Sequence, residues 1–227
     1  MTDEAPSGGM ETRQAIGRSM KEVNPKTGVM ADSHGEPDAI LTAIRLFREK
    51  GCERLYHLGD ICDSRYPERA DECVRVLREH HVAMVKGNND HILVVNHRNR
   101  SDTPIVPETL ECLLNLPQRI DVGEIFFTHS LPFVEELGLV GMMWSMGPKE
   151  AARFFERYPG HSLFRGHSHT PEIMFLRCGQ VVAEPLSPGE EIPLQERSPF
   201  VVTCGALMNS LCLMWDPDAN TLQSISF

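Results

Sequence analysis

One stretch near residue 60 constrains the fold more than any other part of the sequence. The apolar run Leu55–Leu58 ends abruptly in Gly59 and Asp60. Such an ending is typical of a buried parallel strand that delivers a carboxylate to the edge of an open α/β sheet, where ligands bind. Because glycine has no side chain, Gly59 leaves room for a bulky or charged group close to the backbone. The sequence therefore predicts a site at this edge, with Asp60 pointing into it.

Four other predicted strands also end in residues with oxygen or imidazole side chains. These residues are Asp32 and His34 after the first strand, Asn88 after the third, His129, and the pair His167 and His169. Each block alone is a weak signal, since a lone histidine occurs by chance in many proteins. Residues i and i+2 of an extended segment project to the same side, so each closely spaced pair can aim at one place. Five such blocks in order indicate one shared site.

The chemistry of these side chains favours a pair of metal ions. Two carboxylates, four imidazoles and one amide oxygen suit divalent Mn, Fe, Zn or Ni, and none of the candidate ligands is a thiolate. A single metal does not need so many ligands. Two divalent cations outweigh two carboxylates and one hydroxide, which leaves a net positive charge that attracts an anion. We therefore expect a two-metal site in which Asp60 bridges the ions.

The apolar periodicity predicts a β-α-β-α-β first part and a second half rich in strands. Helices are expected at Pro37–Lys50, Pro67–His81, Thr109–Leu116 and Lys149–Tyr158. Strands are expected at Thr27–Ala31, Leu55–Asp60, Val82–Lys86, Arg119–Val122, Glu124–Thr128, Ser162–Arg165, Glu172–Arg177, Gln180–Glu184, Phe200–Cys204, Leu211–Trp215 and Thr221–Ser226. Residues 1–26 lack periodicity and predict a flexible tail, whereas residues 27–227 predict a single domain.

Composition narrows the choice of partners and compartment. The 227 residues carry a formal net charge of −10, which makes broad binding to nucleic acid unfavourable but allows a small phosphorylated substrate at a locally positive site. No apolar run approaches the roughly 18 residues of a membrane helix. Seven cysteines without a CxxC pair indicate reduced, mostly buried thiols in a cytoplasmic protein. The oligomeric state stays open.

The apolar segment Leu131–Gly147 has two interpretations at this point. Its glycines and methionines suit a mobile lid, but we favour a packed core segment. Five histidines outside the strand-end blocks are expected to have no part in the site, either because they are at the surface or because they are satisfied internally. They are His57, His80, His81, His97 and His161.

The ordered motifs resemble those of the calcineurin-like metallophosphoesterase superfamily, and most closely its small bacterial phosphodiesterase branch. They are Asp32-Ser33-His34-Gly35, Gly59-Asp60, Gly87-Asn88, Thr128-His129-Ser130 and Gly166-His167-Ser168-His169-Thr170-Pro171. The resemblance implies an α/β fold, a four-layer α/β/β/α sandwich of two mixed sheets, as in metallo-dependent phosphatases. It implies that a hydroxide bridging two metals, with manganese favoured, attacks a small phosphodiester or phosphomonoester.

The resemblance also assigns the ligands. It implies that one metal is held by Asp32, His34, Asp60 and His169, and the other by Asp60, Asn88, His129 and His167. Asp60 is then the shared ligand, and Asp60 and Asn88 are the residues expected at the reacting centre.

The sequence departs from the family pattern at three positions. Many relatives have a histidine after the Gly-Asn pair that protonates the leaving group, whereas this chain has Asn89, and an amide is not a general acid. His91 is a weak substitute. Arg65 is displaced by one position from a phosphate-binding arginine of phosphatase-like members, so it either binds substrate or is a solvated surface residue. Thr203–Ala206 replaces an Asn-Pro-Gly-Ser-like turn, which puts substrate contacts from that turn in doubt.

Two other functions compete with the phosphoesterase hypothesis. A non-catalytic, protein-binding scaffold on the same fold is supported only by the missing acid at Asn89, since every predicted ligand position is filled. A nuclease is disfavoured by the acidic composition.

Overall fold

Two mixed sheets, each of six strands, pack face to face within residues 25–227, the part of the chain that the computed structural model describes. The strands are β1 Thr27–Met30, β2 Arg54–His57, β3 Ala83–Met84, β4 Arg119–Val122, β5 Ile125–Thr128, β6 Ser162–Arg165, β7 Glu172–Arg177, β8 Gln180–Pro185, β9 Glu191–Pro193, β10 Phe200–Thr203, β11 Leu211–Asp216 and β12 Thr221–Ser226. The helices are α1 Pro37–Glu49, α2 Ala70–Glu79, α3 Asn88–His97, α4 Pro107–Asn115, α5 Val134–Leu137 and α6 Pro148–Arg157. The predicted N-terminal tail lies outside the described residues except for Pro25 and Lys26.

Each sheet contains three neighbouring parallel strands, to which antiparallel strands are added. The first sheet has the order β3-β2-β1-β11-β12-β9, in which β1, β2 and β3 are parallel. The second has the order β4-β5-β6-β10-β7-β8, in which β5, β6 and β10 are parallel. The carboxyl ends of parallel strands meet at one edge of a sheet, so the residues after β1, β2, β5 and β6 are brought together.

Strand alternation divides the apolar residues among three clusters. Val29 faces the space between the sheets, whereas the next residue, Met30, faces α1 and α2. Tyr56 and Phe127 join the sheets across this space, with stacked rings 3.9 Å apart. Phe154 of α6 packs on the outer face of the second sheet. The resulting order of layers is α/β/β/α, which confirms the predicted sandwich.

The largest error of the sequence-based prediction is α3. We placed no helix over Asn88–His97 because its first turn is polar and its apolar residues do not form a single stripe. Its N-terminus is stabilised by Asp90, whose carboxylate accepts a hydrogen bond from the Gly87 N–H at 2.9 Å. The third strand was also predicted too long, since only Ala83–Met84 pairs with β2. The short edge strand β9 escaped prediction because Pro193 and a charged residue interrupt its pattern.

The segment Leu131–Gly147 is partly packed and partly exposed. Met142 and Met146 are buried, and Met146 lies in the cluster beneath α6. Met143 and Trp144 are exposed between them. The prediction of a packed segment is therefore right for one face of it and wrong for the other.

The state of the cysteines and the length and hydropathy of the helices bear on two of the expectations from the sequence. All seven cysteines are free; Cys112 is half-buried, Cys178 is exposed and the other five are buried. No helix within residues 25–227 has the length and apolar character that crossing a bilayer requires.

Candidate metal centre

The predicted ligand side chains meet at the edge where β1, β2, β5 and β6 end. Six of them form two groups, and within each group the ligand atoms lie within 4.8 Å of one another. The first group is Asp32, His34 and His169, and the second is Asp60, His129 and His167. The seventh, Asn88, joins the second group, because its Oδ1 lies 3.0 Å from His129 Nε2. All seven candidates are therefore brought together.

Asp60 lies between the two groups. Its Oδ2 is 3.5 Å from Nε2 of His129 in the second group and 3.8 Å from Nε2 of His34 in the first. The carboxylate is almost completely buried. A single carboxylate oxygen thus faces a nitrogen of each group, as a shared ligand would.

The hydrogen on the His129 ring can be assigned from its surroundings. Nδ1 lies 2.8 Å from the Leu58 carbonyl oxygen, which can only accept, so Nδ1 is the protonated nitrogen. When the ring is neutral, Nε2 carries a lone pair that faces two further acceptors, Asn88 Oδ1 and Asp60 Oδ2, and Nδ1 of His167 lies 3.1 Å from the same nitrogen. In this neutral form no hydrogen bond can join His129 Nε2 to the two oxygens. Convergence of lone pairs in a buried position is stabilised by a cation, so this donor set fits a metal ion.

In the first group, Asp32 supplies a buried ligand atom that has no hydrogen-bond partner within residues 25–227. Its Oδ2 accepts the main-chain N–H of His167 at 2.9 Å, whereas its Oδ1 is buried without a hydrogen-bond partner. His169 Nε2 lies 3.5 Å from this free oxygen. Burial favours the neutral acid, but the attraction of the His169 and His129 imidazoles prevails and holds the pKa of Asp32 below its usual value. Asp32 is therefore an anion that a metal can bind at neutral pH.

The pKa values of two imidazoles in the loop after β6 are shifted in opposite directions. Burial, followed by repulsion from His129, lowers the pKa of His167 to about 4, so its ring is neutral and able to bind a metal at pH 7. The neighbouring carboxylate of Asp32 raises the pKa of His169, against a smaller effect of burial. In the metal-free protein, His169 is therefore the ring of this loop that holds a proton more readily.

The backbone of the site is strained. Five of the candidate ligands have a positive φ, between 47° and 71°: Asp32, His34, Asp60, His167 and His169. Each such residue costs on the order of 1–2 kcal/mol, and clusters of them are typical of functional sites. Gly87 allows the closest approach, because a Cβ there would lie 2.1 Å from the Asp60 main-chain nitrogen.

Three supporting residues were missed as parts of the site. Asn89 donates to both carboxylate oxygens of Asp60, through its main-chain N–H at 2.8 Å and its side-chain amide at 2.7 Å. Asp63 Oδ2 lies 3.6 Å from Nδ1 of His34, the ring nitrogen away from Asp60. Asp90 accepts hydrogen bonds from the Cys62 and Gly87 main chains, and burial raises the pKa of its carboxyl group well above its usual range. The sequence contained a signal for two of these residues, since Asp63 and Asp90 are carboxylates that follow Gly59-Asp60 and Gly87-Asn88 at short spacing.

The role of Arg65 in substrate binding stays a prediction. Its side chain is exposed, and its main-chain N–H donates to Asp63 Oδ1 at 2.8 Å. Arg69 packs beside the loop that carries Asp32 and His34, since its Cβ lies 3.7 Å from where a Cβ on Gly35 would be. Arg69 therefore lies near the first ligand group, whereas the contact of Arg65 with Asp63 is made by its main chain.

The structure places the histidines that were predicted to lie outside the site. His57 is fully buried, and its Nε2 lies 2.9 Å from Ser33 Oγ. Since Ser33 Oγ donates to the Ile61 carbonyl, it must accept from the His57 ring. His97 is buried against Thr103, with 3.1 Å between Nδ1 and Oγ1. Neither belongs to the two groups of candidate ligands.

A buried arginine, which gave no signal in the sequence, lies just before the loop that carries His167 and His169. Arg165, the last residue of β6, is fully buried and donates from Nη1 to Thr203 Oγ1 at 2.7 Å. Its Nε and Nη2 have no partner among the described residues. Burial lowers the pKa of its guanidinium to about 10, which leaves it charged at neutral pH.

Comparison with known proteins gives one family. The family model described as calcineurin-like phosphoesterase superfamily domain matches residues 26–206. An uncharacterized protein of the archaeon Methanocaldococcus jannaschii is 24% identical over 168 residues, which cover 66% of this chain and 65% of that protein. The chain thus spans slightly less than two thirds of the length of this relative.

Solved structures share the fold. A metallophosphoesterase from Sphaerobacter thermophilus superposes with a TM-score of 0.68 at 20% identity, covering 89% of this chain and 88% of that one. A serine/threonine phosphatase from Saccharomyces cerevisiae superposes with a TM-score of 0.55 at 15% identity, covering 91% of this chain and 81% of that one. At these identities the superpositions establish the fold alone.

Proposed function

Because the chain belongs to the calcineurin-like phosphoesterase superfamily, we propose that it is a metal-dependent phosphoesterase acting on a small phosphodiester or phosphomonoester. The observation that carries the proposal is the convergence of lone pairs at the site. In the neutral ring the hydrogen lies on Nδ1, so His129 Nε2 faces Asn88 Oδ1 and Asp60 Oδ2 as a third lone-pair donor. This arrangement supports cation binding, and cations are what phosphoryl transfer requires.

Two ions would be held, one by each ligand group, with Asp60 shared. Asp32, His34 and His169 would complete one set of ligands, and Asn88, His129 and His167 the other. The absence of thiolates from both sets favours manganese, with iron, zinc or nickel as alternatives. When bound, such ions lower the pKa of water toward neutrality and neutralise charge that develops on a phosphoryl group.

The protein's own residues hold these ligands in place. The Leu58 carbonyl fixes the tautomer of His129, and Asn89 fixes both oxygens of Asp60. Partners of this kind orient metal ligands and typically contribute tenfold to a hundredfold to metal affinity. Since the amide of Asn89 cannot give up a proton, it does not protonate a leaving group. Substrates with stable leaving groups are therefore expected to react fastest.

We also propose that the protein works in the cytoplasm. Burial raises the pKa of Cys73 and Cys212 to about 12, so neither thiol ionises readily at neutral pH. Inert buried thiols suit a reducing compartment.

A panel of phosphoesters tests the proposed activity on protein whose metal content has been measured. Wild-type protein with added manganese is expected to hydrolyse an activated aryl phosphodiester or monoester, whereas Asp60→Asn is expected to lose turnover by at least a hundredfold. Asp102→Asn, at an exposed position paired with Arg100, serves as the matched control. Undiminished turnover in Asp60→Asn would contradict the mechanism. Two bound metals without activity on the whole panel would favour the scaffold alternative.

A further inference from the structure

A segment without charged residues lies beside the candidate metal centre. Residues 138–147, here called the 138–147 segment, contain no acidic or basic side chain, although 24% of the chain is charged. It carries four of the twelve large apolar side chains that are exposed within residues 25–227, namely Leu139, Val140, Met143 and Trp144. Clustered exposed apolar surface of this kind usually marks a binding site.

Two buried methionines fix the position of the exposed pair Met143 and Trp144. Met142 and Met146, on either side of the exposed pair Met143 and Trp144, are 3% and 6% exposed and anchor the segment in the protein. Trp144 is 57% exposed and Met143 60%. Burying two methionines while presenting two neighbouring apolar side chains to solvent gives the surface a fixed position.

Hydrogen bonds join the same segment to the residues that follow the candidate ligand His129. Ser130, which follows the candidate ligand His129, donates from its hydroxyl group to the Trp144 carbonyl oxygen. The N–H of Leu131 donates to the Gly141 carbonyl at 3.0 Å. On the side of the first ligand group, the exposed Met208 donates its N–H to the Asp32 carbonyl at 3.2 Å. The main chains of exposed apolar residues are therefore hydrogen-bonded to residues at or next to a candidate ligand of each group.

We propose that Met143 and Trp144 hold an aromatic leaving group, so that the preferred substrates are phosphoesters of phenols. The inference rests on the proposed phosphoesterase function. A pair of cations beside an uncharged apolar surface complements a molecule that has an anionic phosphoryl group and an apolar ring. An indole and a thioether are favourable partners for an aromatic ring.

The absence of an acid at Asn89 points to the same substrates. Hydrolysis breaks the bond between phosphorus and the phenolic oxygen, which departs with the bonding electrons as a phenolate. Water supplies the oxygen that joins phosphorus, and its proton passes to solvent. A phenolic hydroxyl ionises near pH 10, whereas an aliphatic alkoxide is about as basic as hydroxide, so the phenolate leaves without a proton from the protein.

A matched pair of substrates separates ring binding from leaving-group acidity. One is a phenyl phosphoester, and the other is a fluorinated alkyl phosphoester whose alcohol is as acidic as the phenol. We expect Trp144→Ala to lower kcat/KM for the aryl substrate about tenfold, mainly through KM, and to leave the fluoroalkyl substrate unchanged. Trp144→Phe should retain most of the aryl preference. Leu176→Ala, at an exposed apolar position near the far end of β7, is the control and should alter neither substrate.

Fluorescence provides a second readout that does not depend on turnover. The chain has two tryptophans, so Trp215→Phe leaves Trp144 as the reporter. Phenylphosphonate, which is not hydrolysed, should change the emission of Trp144 at concentrations where methylphosphonate does not.

Equal responses to the two phosphonates, or an aryl preference that Trp144→Ala leaves intact, would overturn the inference while the Asp60-dependent activity still stood. Failure of wild-type protein on all phosphoesters would instead remove the proposed function. Self-association that Trp144→Ala abolishes would assign the surface to a second copy of the chain and would also overturn the inference.

Discussion

The carboxylate of Asp60 accepts two hydrogen bonds from Asn89, at 2.8 Å from the main-chain N–H and 2.7 Å from the side-chain amide. Asn89, which stands where many relatives have a histidine, therefore holds both oxygens of the carboxylate that is proposed to bridge the metals. This relationship could not be read from the sequence, where Asn89 was notable only as a missing histidine.

Removing the Asn89 amide should weaken metal binding. Asn89→Ala leaves the main-chain hydrogen bond but frees Asp60 Oδ2 to turn away from the metals. We expect a loss of manganese affinity of about tenfold or more, measured by isothermal titration calorimetry. Asn96→Ala, at an exposed position on the same helix, is the control. Equal affinities for the two variants would show that Asn89 does not position Asp60.

Gly87→Ala should disrupt the centre through the backbone. A Cβ at residue 87 would lie 2.2 Å from Asp60 Oδ1 and 2.1 Å from its main-chain nitrogen, so one of the two strand ends must move. We expect a loss of about 2–3 kcal/mol in the free energy of unfolding, together with weaker metal binding. In Gly141→Ala the new Cβ meets nothing closer than 3.5 Å, and this variant should remain close to wild type in urea titrations. Normal stability and metal affinity in Gly87→Ala would contradict this close approach.

Protonation of His57 should destabilise the metal-free protein at low pH. Burial lowers the pKa of His57 to about 3, below the value near 6.5 of an unfolded chain. A ring with a lowered folded-state pKa favours folding above pH 6.5, and this stabilisation is lost as the pH falls from 6.5 toward 3. Between pH 6.5 and 5 the loss is about 2 kcal/mol.

Denaturation of His57→Gln at pH 7 and pH 5 measures that contribution. The variant should lose about 2 kcal/mol less than wild type on going to pH 5, because glutamine does not titrate. His80→Gln, at the half-buried C-terminus of α2, should behave as wild type does. An identical pH dependence in His57→Gln would show that this ring is not held neutral by burial.

The buried guanidinium of Arg165 should make Thr203 important for stability. Thr203→Val removes the 2.7 Å hydrogen bond to a charged group whose other partner, Ser168 Oγ, is 3.4 Å away, so we expect a loss of about 2 kcal/mol in unfolding free energy. Replacing both residues, with Arg165→Met and Thr203→Val, should recover much of this loss because no buried charge remains. Thr42→Val on the exposed face of α1 is the control. Additive losses in the double variant would argue against the pairing.

Strand periodicity and side-chain chemistry are enough to predict where the candidate ligands lie. Apolar runs ending in Asp60 and His129 identified the correct edge of the two sheets, because parallel strands must end there. The sequence could not show the positive φ of Asp32 or the burial of Arg165. Single-residue conformations and partners depend on contacts made between distant segments, such as the hydrogen bond from His167 to Asp32. The exposed face of Trp144 escaped prediction for the same reason, since the sequence does not show which methionines anchor its segment.

Anomalous diffraction from crystals grown with manganese tests the central claim most directly. We expect two peaks about 3.5–4 Å apart, one beside Asp32 and His169 and the other beside His129 and Asn88, with Asp60 touching both. A single peak, or manganese bound away from Asp60, would contradict it.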